Sequence, residues 1–264
     1  MGMMIKWQFD KKDASIIFLI KTMKRKYVDD TMKKGKLCFN VPTRFNSSND
    51  LNPAQFDKWD SYSASNVQEV MFWPILSETE SGITYGEKKL LAKRATIREI
   101  SDVSQYTPMC CFRRVLEEDF IDCENGSILK LGDIVDRIKT EFGHDSYILV
   151  LQPGDMLNRI GKISTYFARR IHYGDKDPEY QEFLDKYDFC QTEMFQKREE
   201  YAWQKEFRII LPKQDSTDPQ MLYIGSIEDI AIAGNIEELR NGLLIAEEAN
   251  SITRAVSIIK HNVG

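Results

Sequence analysis

The sequence predicts an α+β fold: a single domain over residues 1–264, built on a mixed, mostly antiparallel sheet with peripheral helices. Three observations carry this. Apolar runs of strand length recur along the chain, while segments with the 3.6-residue spacing of an amphipathic helix are few. The stretch Tyr201–Pro212 alternates with period two, setting Gln204, Glu206 and Arg208 against Lys205, Phe207 and Ile209, so the three polar residues are expected on one face of a strand. No internal repeat, low-complexity block or linker divides the chain.

Taken in order, the run from Ile16 to Thr22 is short, apolar and β-branched, and reads as a buried strand ending at Lys21 and Thr22. The spacing of Tyr27, Val28 and Met32 predicts a helix from Arg25 to Lys34, with Gly35 as its stop. A second strand is predicted from Lys36 to Val41, ended by Pro42. Residues 42–66 are rich in Asn, Ser, Asp and Pro and read as a long loop, which Phe45, Phe56 and Trp59 would pack onto the body. Val67 to Leu76 reads as a strand, with Pro74 pushing it to an edge or an end. Residues 77–86 read as turns, and Lys88 to Ser101 as a charged surface helix with Leu90, Leu91 and Ala95 on its apolar side.

Met109 to Phe112 is expected to be a buried strand. Leu131, Ile134, Val135, Ile138 and Phe142 fall at helical spacing before Gly143 and predict an amphipathic helix. Tyr147 to Leu151 reads as a buried strand stopped at Pro153, followed by a short helix from Met156 to Ile160. Tyr166 to Tyr173 reads as a strand carrying Arg169, Arg170 and His172. Asp177 and Pro178 give a helix start whose stripe of Phe183, Leu184, Tyr187, Cys190 and Met194 would run down to Arg198. The tail reads as short strands at Leu222 to Ile224, Ile230 to Ala233, Leu243 to Ala246 and Ala255 to Ile259, with a short helix from Ile236 to Arg240.

Composition bounds the function. A 264-residue chain that is 42% hydrophobic and 29% charged can bury a core of its own. A net charge of −5 provides no overall basic field for nucleic acid or membrane. The five cysteines (Cys38, Cys110, Cys111, Cys123, Cys190) form no C-x-x-C pair and read as core thiols, with no metal site expected among them and the three histidines. No apolar run has the length of a membrane span, and the first residues lack a signal-peptide layout, so a cytoplasmic protein without membrane contact is expected.

The order of parts carries a family resemblance. A strand ends at Lys21-Thr22, a helix leads to Gly35, a second strand holds Leu37-Cys38-Phe39, Phe45-Asn46 opens a loop, and much later comes Gln204-x-Glu206-Phe207-Arg208-Ile209. This layout resembles the ADP-ribosyltransferase superfamily, in which the first block cradles NAD and a late strand bearing Gln-x-Glu supplies the catalytic glutamate. The match covers about the first fifty residues and Arg169 to Leu211; Lys21 stands where classic members carry His or Arg. The resemblance implies Glu206 as the carboxylate that stabilises an oxocarbenium-like ribose, and Gln204 as the group that orients the acceptor. It implies NAD as cofactor, cradled at Lys21 and Thr22, with Lys21, Arg44 or Arg208 on its pyrophosphate and Tyr166 and Phe39 stacked on nicotinamide. It also implies a macromolecular acceptor, protein or nucleic acid, and a neutralising antitoxin or immunity partner, as befits a bacterial toxin or phage-defence effector.

Plainer readings stand beside these. Gln204, Glu206 and Arg208 also fit a solvated strand face with a Glu–Arg pair, and Lys21 and Arg44 fit ordinary surface positions. Ser164 and Thr165 resemble a Ser-Thr-Ser element of one transferase branch. Arg169, Arg170, His172 and Lys176 form a basic cluster that fits either nucleic acid or a wet surface. Two further functions compete: a non-catalytic phage- or defence-related binding protein on the same scaffold, and a nuclease using Asp50, Asp57, Asp60 and Glu206 around a divalent metal.

Overall fold

The computed structural model describes residues 16–47, 63–67, 70–79, 82–93, 95–99, 101, 103–123, 126–143, 146–174, 192–237, 240, 243–245 and 256–257. It is a mixed α/β structure with mostly antiparallel strands and few helices. The chain enters through β1 (Phe18–Lys24), a 3-10 turn (Arg25–Tyr27) and α1 (Val28–Lys34). Helix α1 stops at Gly35, whose left-handed backbone (φ 60°) lets its amide donate to the Thr31 carbonyl at 2.8 Å. A side chain there is also excluded by packing, since a Cβ would lie 2.1 Å from the Gly225 carbonyl oxygen. Strand β2 (Lys36–Phe39) and α2 (Pro42–Ser47) follow; the first residues of the expected long loop are thus helical, and residues 48–62, with Asp50, Asp57 and Asp60, lie outside the described residues.

Next comes a ribbon of β3 (Ser63–Val67), β4 (Val70–Phe72), β5 (Ile75–Thr79), β6 (Gly82–Tyr85), β7 (Lys89–Ala92) and β8 (Ala95–Glu99). The pairs nest as β3 with β8, β4 with β7 and β5 with β6, forming one long antiparallel hairpin. Every side chain of β5 and β6 is exposed, so both faces of its end stand in water. This corrects two expectations. Within the turns expected over 77–86, residues 77–79 and 82–85 are strand, and within the helix expected over 88–101, Lys89–Ala92 and Ala95–Glu99 are strand, because Met71 and Phe72 pair with Leu90 and Lys89 across the ribbon. The three apolar residues at helical spacing gave that helix no core face to bury.

The body resumes with β9 (Met109–Val115), β10 (Phe120–Cys123), β11 (Gly126–Leu129), α3 (Gly132–Phe142), β12 (Ser146–Leu151) and α4 (Pro153–Gly161). Pro153, expected to stop a strand, also starts α4, where its missing N–H leaves no helix bond unmade. Then come β13 (Phe167–Arg170), β14 (His172–Tyr173), β15 (Gln196–Lys197), β16 (Glu206–Ile210), β17 (Gln220–Tyr223), β18 (Ala231–Asn235), β19 (Leu243–Ile245) and β20 (Val256–Ser257). The helix expected from Asp177 falls largely outside the described residues. Its described end is not α-helical: Thr192–Phe195 is a short 3-10 helix, and β15 pairs in parallel with β14. Ile236 and Glu237, expected in a short helix, form a turn.

Six strands make the central sheet in the order β13-β16-β9-β1-β12-β18, all antiparallel. Ile20 pairs with Arg113 and Arg113 with Glu206, so these three side chains share one face. Val135 and Ile138 of α3 pack on that face against Ile20, Ile148 and Val150. Met194 and Phe195 cover its other end over Met109 and Ile210. On the opposite face, Leu19, Phe112, Leu149 and Phe207 meet Met156 and Ile160 of α4 and Leu37 and Phe39 of β2.

The centre of this sheet is split. Strand β1 pairs with β9 only from Phe18 to Ile20, yet it runs on to Lys24 beside β12, while β9 runs back to Met109 beside β16. Beyond the Ile20–Arg113 pair the two strands part and leave a wedge between them.

Candidate functional site

A cavity of about 180 Å³ occupies the wedge. Lys21 and Thr22 line it from β1, Cys110 to Arg113 from β9, and Glu206 from β16. Ile134, Ile138 and Phe142 of α3 wall one side; Lys197, Trp203 and Gln204 wall another. The two blocks that the sequence separates by more than 180 residues therefore meet at one site.

Glu206 reaches the cavity by a particular local fold. Glu199–Gln204 is a 3-10 helix, not strand, so Gln204 is not in the expected row with Glu206 and Arg208. Lys205 then turns the chain with φ 43°, the one positive φ on a non-glycine among the described residues. That backbone conformation costs a lysine about 1–2 kcal/mol. It is fixed by Arg114, whose amide donates to the Lys205 carbonyl at 2.9 Å, and by the Lys205 ammonium on Glu118 and Asp119 at 2.7 and 2.9 Å. The turn still brings Gln204 to Glu206, through a third residue. The Lys197 ammonium donates to Gln204 Oε1 at 2.9 Å and to Glu206 Oε2 at 3.1 Å.

The second Glu206 oxygen accepts from Arg208 Nε. Glu206 is 5% exposed and Arg208 0%. Arg208 also donates to the Met194 carbonyl at 2.6 Å, and the Glu206 amide donates to the Tyr173 hydroxyl at 2.7 Å. Burial pushes the Glu206 carboxyl up, but Arg208 and Lys197 together outweigh it and hold the group well below the ordinary carboxylate range. Burial drives the Tyr173 hydroxyl far above its ordinary range. Lys197 lies 4.9 Å from the Tyr201 ring centre, and Arg137 lies at the same distance from Trp203.

Of the residues expected from sequence, Glu206, Gln204, Lys21 and Thr22 line the cavity. Strand alternation sends Lys21 from the face opposite Glu206, and the wedge is what opens both faces to the same space. The Lys21 ammonium donates to the Cys111 carbonyl at 3.0 Å and sits 4.9 Å from the Phe112 ring centre. The other four are elsewhere. Phe39 is buried in the apolar core with Leu37, while its neighbours Cys38 and Asn40 line the cavity, because β2 also alternates. Tyr166 is in the same core, closed off from stacking. Arg208 is sealed behind Glu206, so its role is to hold that carboxylate and not a pyrophosphate. Arg44 is exposed on α2 and does not line the cavity.

The basic cluster is not a wet surface. Arg169 and Arg170 are half-buried and His172 is buried, while Lys176 lies outside the described residues. Ser164 and Thr165 lie in the loop after α4, with the Ser164 hydroxyl donating to the Thr165 carbonyl at 3.0 Å. Among the described residues no three His, Cys, Asp or Glu side chains are grouped to hold a metal, and no helix is long and apolar enough to cross a membrane.

Sequence reasoning missed Lys197 and Arg113. Lys197 is seven residues before Gln204, at a spacing with no motif, and its position depends on the parallel β14–β15 pair. Arg113 follows the apolar run at Met109–Phe112, where the strand was expected to end. No protein-family model, curated protein or solved structure matches this chain.

Proposed function

We propose that the chain is an NAD-dependent ADP-ribosyltransferase with an ADP-ribosyltransferase-like fold. It acts on a macromolecular acceptor, as a bacterial toxin or phage-defence effector would. One observation carries this reading: the end of the first strand, at Lys21 and Thr22, and the late pair Gln204 and Glu206 line a single cavity in a split sheet. The lining also suits such a ligand, with Lys21, Arg113 and Lys197 facing one carboxylate and the Trp203 ring among them.

In this reading, cleavage of the bond between ribose and nicotinamide sends the bonding electrons to nicotinamide and leaves positive charge on the ribose. Glu206, ionised and fixed in advance, stabilises that charge. Arg208 anchors the carboxylate from behind. Lys197 presently neutralises it as well, so the Glu206–Arg208–Lys197 group carries one net positive charge. Lys197 must therefore swing toward an incoming phosphate, or toward Gln204, before Glu206 can act on a cation.

The test is transfer of label from NAD in a cell extract by wild type and Glu206→Gln, with circular dichroism on both. Label from wild type alone supports transferase and glutamate together. Equal labelling by a folded Glu206→Gln variant would reject the assignment. A second reading, a binding protein on the same scaffold, is favoured by the ribbon, where Trp73, Ile75, Leu76 and Tyr85 are 52–67% exposed. Absence of both label and free nicotinamide would favour it.

A further inference from the structure

The cavity holds an arginine with no acid of its own. Arg113 stands directly across from Glu206 in the β9–β16 ladder, on the same face. Opposite charges so placed ordinarily pair. Here Glu206 is taken by Arg208 and Lys197, and no carboxylate among the described residues lies within 4 Å of Arg113. Its Nη1 donates to the Trp203 main-chain carbonyl, and its Nε is buried without a hydrogen-bond partner. Burial presses against its charge, and Asp119, acting from beyond ion-pair distance, compensates only in part. An underpartnered guanidinium facing a cavity destabilises the empty protein. Lys21, across the wedge, adds a second cation that among the described residues meets a carbonyl, a ring and thiol groups and no carboxylate.

We infer that Arg113 anchors an anion site in the wedge, which takes the phosphate or pyrophosphate group of a nucleotide-class ligand. Three features select this chemistry. The lining has three cations against one carboxylate that is already doubly held, so it suits a polyanion and not a single carboxylate. The guanidinium is a permanent planar cation with N–H groups left over beyond the one given to the Trp203 carbonyl, and such groups match phosphate oxygens. Trp203, whose carbonyl positions Arg113, is in the same lining and offers a ring surface to the base or ring of the ligand. The site shares its cavity with the NAD reading but does not depend on it, since any nucleotide ligand would use it.

The experiment is titration of the full chain with inorganic pyrophosphate by calorimetry and by thermal melting, using wild type, Arg113→Gln, Arg113→Lys and the distant control Arg240→Gln. Pyrophosphate is expected to bind wild type and the control equally. Arg113→Gln should weaken binding about tenfold or more, and Arg113→Lys should fall between them. Without ligand, Arg113→Gln should melt no lower than wild type, because it removes an uncompensated buried charge. Wild type that binds no pyrophosphate at millimolar concentration, or Arg113→Gln that binds it as well as wild type, would overturn the inference. So would an Arg113→Gln that melts far lower while wild type gains no stability from pyrophosphate, since Arg113 would then serve only to hold Trp203. If Arg113→Gln does not fold, the Arg113→Lys affinity decides, with equality to wild type counting against the site. Pyrophosphate binding without any cleavage of NAD would leave this site standing and reject the transferase.

Discussion

At the scale of single residues, the site is governed by one carboxylate held between two cations. Glu206 is nearly sealed, and removing its charge would break its ion pair with Arg208, the most deeply buried cation of the group. Breaking such a pair costs about 3–5 kcal/mol, so Glu206→Gln is expected to fold with lower stability than wild type. The direction of the Glu206 shift gives a pH dependence. Its folded pKa is depressed below the ordinary value of 4.5, so the folded state binds fewer protons than the unfolded state near that pH. The stability it contributes is fully present above about pH 4.5 and is lost as pH falls toward the folded pKa. Urea midpoints measured from pH 7 to pH 3 should therefore drop more steeply for wild type than for Glu206→Gln. Parallel curves would mean that some other carboxylate governs the acid limb. The Glu–Arg pairing was legible from the spacing of Glu206 and Arg208. The part of Lys197 was not, because nothing local in the sequence says that residue 197 folds back beside residue 206.

At the scale of elements, local signals and long-range pairing divide the chain. Helix α3 was legible because its apolar stripe and the following Gly143 are local, and β12 because a continuous apolar run suits a strand buried on both faces. The ribbon was not, since each of its strands is defined by a partner up to 36 residues away, as in the pair Ser63–Glu99. Gln204 was misplaced for a related reason: its alternation with Glu206 is real in the sequence, but the left-handed turn at Lys205 makes the strand begin at Glu206, two residues after Gln204. The ribbon leads to a prediction about independence. Phe72 and Lys89 face each other in the ladder, so a two-residue turn can join them and remove β5 and β6. Since β5 and β6 expose both faces and bury nothing against the sheet, the shortened protein should melt within a few degrees of wild type and keep its pyrophosphate affinity. A fall in melting temperature of about 10 °C, which for a chain of this size means several kcal/mol, would show that the ribbon supports the body.

At the scale of the whole molecule, the decisive feature is the parting of β1 and β9, which leaves a cavity of about 180 Å³ at the centre of the sheet. A sheet gives up ladder hydrogen bonds along such a split, and here the Lys21 ammonium satisfies the Cys111 carbonyl that would otherwise have faced β1. Two strand positions that alternate to opposite faces, Lys21 and Glu206, reach one space only because of this opening. That geometry could not be read from the sequence: β1 and β9 each look like complete buried strands, and only their register shows that they separate after Ile20 and Arg113. The split can be tested without touching any charged group. Thr22 lines the wedge from β1 on the Glu206 face and is half-buried, so its side chain has room to grow into the cavity and not into the core. Thr22→Trp should fill the opening while leaving Arg113, Lys197 and Glu206 in place. Pyrophosphate affinity and label transfer from NAD should both fall by about tenfold or more, with a melting temperature within a few degrees of wild type, because an indole against Ile134 and Phe142 adds apolar contact where a gap stood. Unchanged binding in a folded Thr22→Trp variant would place the ligand outside the wedge and remove the link between the split sheet and function.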